Sequence, residues 1–296
     1  MSDCTFVMLA GPNDAPFLEL TFNHLTRTCS YNFHEVIIVA DDLPSSSADS
    51  TALLTFQTTL ERLLSQRTLT RCVFLSDIDR KRRQLARKYF GGSVTKARDH
   101  RGVPLFGWAA GIEAAETKYV VHFDSDILLH QAAGSNWINM GIGLAEEDTS
   151  ALFISPLPGP PTSDGSLHGQ DTVPSRDSHG NFRFKTFSSR RFLVSKERLE
   201  SLLPTPAVHI SRKRRALMQL GHGNSILPWE VSVSRALLES DHYRVHLASP
   251  TAWTLHSPDH GPDWVRSLPD TILRIEQGRY PNAQAGHYDL ILSAWR

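Results

Sequence analysis

Ten residues beginning at Val120, VVHFDSDILL, carry an apolar stretch into two acidic side chains, Asp124 and Asp126, separated by Ser125. Side chains at i and i+2 of an extended strand point to one side, so this spacing aims both carboxylates just beyond the strand end. Two like charges that close call for a cation between them. Hard oxygen ligands suit Mg²⁺ or Mn²⁺, ions that often keep water and complete their shell with phosphate oxygens of a substrate. The chemistry on offer is a metal and a phosphorylated ligand held together. The same triplet also reads as a turn, because Asp and Ser are favoured in turns and helix caps. His122 shares strand parity with both carboxylates but, sitting deeper, reads as a hydrogen-bonded core histidine.

The elements that must position these residues alternate along the first half of the chain. Thr5 to Ala10 reads as a buried strand, followed by a Gly11-Pro12-Asn13-Asp14 loop and a helical stretch from Pro16 to Thr28. The β-branched run Glu35 to Ala40 ends in Asp41-Asp42. Ser45 to Asp49 is a polar loop before a helix from Ser50 to Gln66, and Arg71 to Leu75 is a third strand that stops at Ser76 and Asp77. A basic helix from Arg80 to Tyr89, a loop and a helix from Gly107 to Glu116 lead into the DSD strand, and Glu113 and Glu116 read as solvent-facing. Apolar strands alternating with helices predict an α/β fold, a mostly parallel sheet with helices on both faces. Ligands of such sheets bind outside the carboxyl ends of the strands, where this chain puts polar residues or glycine every time.

Composition bounds the class. The chain has 296 residues, 40% of them hydrophobic and 21% charged, enough for one large domain or two small ones. Lys+Arg and Asp+Glu both number 31, so no global field favours nucleic acid, and neither basic run, Arg80 to Arg83 or Arg212 to Arg215, is interleaved with stacking aromatics. These runs read as solvated helix faces, with contact to anionic lipid or a charged acceptor as the alternative. Three scattered cysteines, Cys4, Cys29 and Cys72, form no disulfide or zinc framework and predict a reducing, cytoplasmic setting. No run approaches the roughly 18 apolar residues of a membrane span, so the expected membrane contact is at most peripheral. Phosphate-loop, nucleophile-elbow and CxxC motifs are absent, and Gly141-Ile-Gly143 lacks the rest of a dinucleotide fingerprint.

The order strand, glycine loop, helix, strand ending VADD, helix, strand and then GWAAGIEAAETKYVVHFDSDIL resembles the nucleotide-diphospho-sugar transferases of the GT-A fold, most of all the family 2 type. The match is best up to Leu129. Beyond it, FSSRRFLVSKERL, ending at Leu199, is similar to the strand and helix after the acceptor loop. PWEVSVSRAL from Pro228 looks like the segment bearing the acidic catalytic residue, and HSPDHGP from His256 like one supplying a metal-binding histidine. The resemblance implies a single Rossmann-like GT-A domain over 1–296, with a nucleotide-binding half (1–129), an acceptor and catalytic half (130–263) and a C-terminal tail (264–296). It implies that Ala10, Gly11, Asp42, Asp77, Gly107, Asp124 and Ser125 contact the nucleotide-sugar, with Arg190 and Arg191 touching diphosphate or acceptor. Asp124, Asp126 and His256 would hold the metal, with His260 the alternative histidine, and neutral imidazole suits Mn²⁺ better than Mg²⁺. Glu230 would be the general base; its place at a probable helix start equally fits the positive end of the dipole. Trp-Glu stands here where many family 2 enzymes have Glu-Asp.

Transfer of a sugar from a nucleoside diphosphate builds positive charge on the ring and negative charge on the leaving diphosphate. A divalent metal answers the second; if the stereochemistry inverts, one carboxylate taking the acceptor proton suffices, and retention is the alternative. The expected function is a metal-dependent glycosyltransferase acting from a UDP- or GDP-sugar on a saccharide, lipid or protein hydroxyl. The alternatives are a nucleotidyltransferase that makes sugar nucleotides, which would want a basic glycine-rich loop after the first strand, and a non-catalytic protein keeping the nucleotide pocket. The Pro/Gly/Ser-rich stretch from Ser155 to Phe184 reads as a long loop shaping the acceptor side.

Overall fold

Strands with apolar side chains on both faces run through the middle of the molecule. The structure is a computed structural model describing residues 3–42, 50–79, 81–94, 96–170, 172–210 and 225–296. The loop expected over Ser45 to Asp49, the basic residue Arg80 and the run Arg212 to Arg215 lie outside the described residues. The first half runs β1 (Cys4–Ala10), α1 (Leu18–Thr28), β2 (Glu35–Ala40), α2 (Ser50–Ser65), β3 (Arg71–Phe74), α3 (Leu75–Asp79), α4 (Arg82–Phe90), α5 (Gly107–Ala114) and β4 (Tyr119–Asp124). The second half runs β5 (Ile127–Gln131), α6 (Trp137–Glu147), β6 (Ala151–Ser155), β7 (Leu157–Pro158), β8 (Ser175–Arg176), β9 (Phe182–Phe184), β10 (Arg191–Ser195), α7 (Lys196–Leu202), α8 (Trp229–Leu238), β11 (Tyr243–His246), β12 (Ala252–His256), α9 (Pro262–Glu276) and α10 (Leu292–Trp295).

The main sheet has the order β3-β2-β1-β4-β10-β6-β11-β9-β8. β3, β2, β1 and β4 are parallel, and their register aligns Phe74 with Ala40, Ala40 with Ala10, and Leu9 with Asp124, so their carboxyl ends make one edge. β10 runs antiparallel to β4 with Arg191 opposite Phe123, which brings its first residues to that same edge. β6 and β11, parallel to each other, finish there at Ser155 and His246. Alternation along β1 explains the two covered faces: Phe6 and Met8 pack into the core that includes Phe22 and Leu25 of α1, while Val7 packs into the opposite core with Ala110 and Ile112 of α5.

α5 lies unusually close to this sheet. A methyl group at Gly111 would sit 2.5 Å from Val7 Cγ1, and one at Gly107 would sit 2.9 Å from the Leu9 methyls, so glycine here permits the approach. Gly107 is therefore a packing residue, and its neighbour Trp108 is the one that reaches the cavity described below.

The sequence reading departs from the structure at four places. The DSD run is not one strand: β4 ends at Asp124, the chain turns at Ser125 and Asp126, and β5 leaves into a second sheet of order β5-β12-β7. Ser76 and Asp77 fall in a short helix, α3, since Asp42 accepts hydrogen bonds from the Ser76 N–H and hydroxyl and so satisfies donors in its first turn. The stretch Ser155 to Phe184 contains β7, β8 and β9, the last two pairing as an antiparallel ribbon onto β11. The C-terminal residues 264–296 are built into the core, with Trp264, Ile275 and Trp295 buried against β12 residues Trp253 and Leu255. No helix among the described residues is long and apolar enough to cross a membrane.

Candidate active site

The sheet edge carries two neighbouring cavities. The first, about 510 Å³, opens above β1, β2 and β4 and is lined by Ala10, Gly11, Asp14, Asp41, Arg98, Trp108, Asp124, Ser125, Asp126 and His260 among others. The second, about 410 Å³, opens above β10 and β11, with Arg190, Arg191, Glu230, Arg244, Tyr288 and Asp289 in its wall.

The first cavity concentrates carboxylates. Asp14 follows Gly11 in a single helical turn and accepts the Gly11 N–H at 2.8 Å. Burial first, then the charge of Asp126, push the Asp14 carboxyl up to about 6 against its hydrogen bonds from Gly11 and Ser125. Burial also raises Asp124 well above the usual carboxylate range, helped by the negative charges of Asp126 and Glu230. Asp124 Oδ1 lies 3.0 Å from Nε2 of His122, a buried ring stacked on Phe192 whose pKa burial pushes down to about 3.

Asp126 behaves in the opposite way. Burial pushes it up, but His256 and His260 outweigh that and hold it well below the ordinary range. Its Oδ2 faces Nε2 of His260 at 3.1 Å and Nε2 of His256 at 3.4 Å, whereas Oδ1 is buried with no hydrogen-bond partner. The hydrogen bond with Asp126 in turn raises His260 above the usual histidine value. Register explains the meeting: β12 runs antiparallel to β5 with His256 opposite Ile127, which delivers the end of one strand to the start of the other. His256 Nδ1 lies 2.7 Å from Asp289 Oδ1 and 2.7 Å from Arg190 Nη1. Arg190 can only donate, so beside it Nδ1 accepts and the Nε2 proton faces Asp126; a metal on Nε2 would call for the other tautomer, with Nδ1–H donated to Asp289. Among the described residues no three His, Cys, Asp or Glu side chains close into a ready-made metal cage. Asp126, His256 and His260 are the side chains that could hold a divalent ion here, with the rest of its shell left to a ligand.

Glu230 enters the second cavity from the first turn of α8. Trp229, buried and stacked on Trp108 with ring centroids 5.8 Å apart, anchors that turn. Glu230 Oε1 accepts from the Ser189 N–H at 2.8 Å and the Ser189 hydroxyl at 2.9 Å, which fixes the carboxylate toward the strand bearing Arg190 and Arg191. Arg190 is joined to the first cavity through its carbonyl, which accepts the Asp124 N–H at 2.8 Å.

Of the residues picked out in the sequence, Ala10, Gly11, Asp124, Ser125 and Asp126 meet in the first cavity, and Arg190, Arg191 and Glu230 meet in the second. His256 stands between the two. Asp42 is turned away to Ser76, and the cavity-lining acid at that strand end is Asp41, paired with both terminal nitrogens of Arg98 at 2.9 and 3.0 Å. Asp77 is exposed on α3 and lines neither cavity. Asp14, Arg98, Trp108, Ser189, Tyr288 and Asp289 were not singled out beforehand. Only Asp14 carried a sequence signal, a carboxylate in the loop just after the first strand.

No protein-family profile matches the chain, and no curated protein matches it in sequence. Among solved structures, the crystal structure of GalNAc-T7 with UDP, GalNAc and Mn²⁺ aligns over 86% of this chain and 42% of that one, with 9% identity and a TM-score of 0.50. That of S. aureus TarS aligns over 92% and 39%, with 12% identity and a TM-score of 0.44. The chain spans about two fifths of the length of each. The first of these likenesses identifies the architecture as the GT-A fold, the Rossmann-like fold of nucleotide-sugar transferases.

Proposed function

We propose that this chain is a metal-dependent glycosyltransferase that moves a sugar from a UDP- or GDP-linked donor to an acceptor hydroxyl with inversion at the anomeric carbon. The observation that carries the reading is Asp126: a carboxylate with one buried oxygen unpartnered and the other facing two imidazole nitrogens, at the carboxyl edge of the central strands. An orphaned acidic oxygen of this kind costs free energy unless something answers it. Asp14 and Asp124, both raised by burial and by the negative charge around them, add to the same deficit of positive charge. The donor set fits Mn²⁺ or Mg²⁺ sharing its shell with a diphosphate. When bound, the metal would stabilise the charge developing on the departing diphosphate.

The chain's own groups divide the remaining work. The backbone at Ala10 and Gly11 and the Asp41–Arg98 pair bound the space for the nucleoside, with Trp108 as its apolar wall. Asp289 holds His256 in orientation, and Glu230, steadied by Ser189, stands on the acceptor side as the base that takes the hydroxyl proton. One carboxylate taking the acceptor proton suits inversion.

Calorimetric titration with UDP and with GDP, each in Mn²⁺ and in EDTA, tests the reading. One of the two nucleotides is expected to bind in Mn²⁺ and to lose its affinity in EDTA and in Asp126→Asn. Metal-independent binding would remove the metal assignment, and no binding of either by a folded protein would remove the donor site.

A further inference from the structure

The second cavity holds a buried cation with hydrogen-bond donors left unmatched. Arg191, the first residue of β10, is 4% exposed, and its guanidinium lies 4.0 Å from the centroid of the Tyr288 ring. Its Nε and Nη2 are buried and have no hydrogen-bond partner. The nearby acids are engaged elsewhere: Glu230 with Ser189, and Asp289 with His256 at 2.7 Å and Arg190 at 3.6 Å. Arg190 and Arg244 line the same space, so three arginines face two carboxylates there. Burying a guanidinium with donors unmatched is unfavourable, and its planar fork is shaped to grip a carboxylate or phosphate through two parallel hydrogen bonds. Burial accordingly lowers the Arg191 pKa.

We infer that this cavity selects its acceptor through an oxyanion, a carboxylate or phosphate group, gripped by Arg191 while Glu230 faces the reacting hydroxyl. The acceptor role rests on the glycosyl-transfer reading; the anion site itself rests on Arg191 and its neighbours alone. An uncharged saccharide could offer the guanidinium hydroxyl acceptors but neither a countercharge nor a bidentate partner. The selectivity thus comes from a group already buried and poised, in the manner of sites that reject analogues lacking a required partner.

The test uses inorganic phosphate and methyl β-D-glucuronide as probes, with methyl β-D-glucoside as the uncharged control, all in EDTA so that the acid-lined first cavity attracts no anion. Both anions are expected to bind and the glucoside not to. Arg191→Gln should weaken anion binding by roughly ten- to a hundredfold, the worth of hydrogen bonds to a charged group. Arg191→Lys should recover part of the loss, since it keeps the charge and gives up the fork. Arg191→Gln should melt no lower than the wild type without anion, because it removes an unpaired buried charge; an arginine that merely supports the fold would give a clear drop. Gln170→Glu, a loop substitution adding a carboxylate to the same cavity wall, is an independent probe and is expected to weaken both anions as well. Equal anion binding with and without Arg191, no anion binding by the wild type, or a large loss of melting temperature in Arg191→Gln overturns the inference. Anion binding by a protein that takes neither UDP nor GDP in Mn²⁺ would sink the transfer reading and leave the anion site standing.

Discussion

The two cavities share one sheet edge and are opposites in charge. Above the parallel strands, Asp14, Asp41, Asp124 and Asp126 gather with one arginine pair from the 98–104 loop; above the antiparallel side, Arg190, Arg191 and Arg244 gather with two acids. The difference follows from how each is assembled. The first is made mainly of the ends of β1, β2 and β4 with the acids just after them, joined by the 98–104 loop and His260. The second is made of β10, β11, residues 158, 168–170 and 172, Glu230 of α8 and residues 287–289, contributed from distant parts of the chain. The first is thus electrostatically incomplete without a cation and the second without an anion, and a linked donor and acceptor pair would complete both.

Three substitutions sharpen this contrast. Glu230→Gln has the largest expected effect: it should lower the transfer rate by about 10²–10⁴-fold, the usual worth of a positioned proton acceptor, while nucleotide affinity in Mn²⁺ stays as in the wild type. If nucleotide affinity falls alongside the rate, the two cavities are not functionally separate. Asp289→Asn should weaken Mn²⁺ affinity by about 10–100-fold, as removal of a group that orients a metal-bound imidazole does. Metal titration followed by nucleotide-binding heat reads this directly, and an unchanged Mn²⁺ affinity would mean that Asp289 belongs to the acceptor side only. Gly111→Ala should be the mildest, costing about 1–3 kcal/mol of stability by overpacking α5 against Val7 and Val39, measurable by urea unfolding. A neutral result would show that α5 shifts freely, and with it Trp108 in the cavity wall.

The parallel half was legible in the sequence because its strands are buried on both faces and so read as unbroken apolar runs with polar stops. Element ends were less so. Asp41 and Asp42 are adjacent and chemically identical; which one turns inward is decided by Arg98, 57 positions away, and by the donors of Ser76. The spacing of Asp124 and Asp126 reads as one strand, yet the chain turns at Ser125 and Asp126 as soon as β4 ends, so burial raises Asp124 while His256 and His260 lower Asp126. The choice between His256 and His260 could not be made by spacing because both rings reach the same oxygen of Asp126. Asp289 and Tyr288 were invisible, since they meet the site only after α9 has carried the chain away and back. The α/β class needed nothing beyond local pattern, whereas the site needed contacts between residues such as Asp126 and His260, 134 positions apart.

Trp108 and Trp229 stack across the partition between the two cavities, their planes tilted by 23°. One indole borders the space proposed for the nucleoside, and the other directly precedes Glu230. Two rings this close couple their electronic transitions, so the pair forms a native optical reporter, sensitive in near-ultraviolet dichroism to a change in either ring's surroundings. Donor and acceptor occupancy would then register on one chromophore pair, and the order in which the two ligands arrive becomes readable without any label.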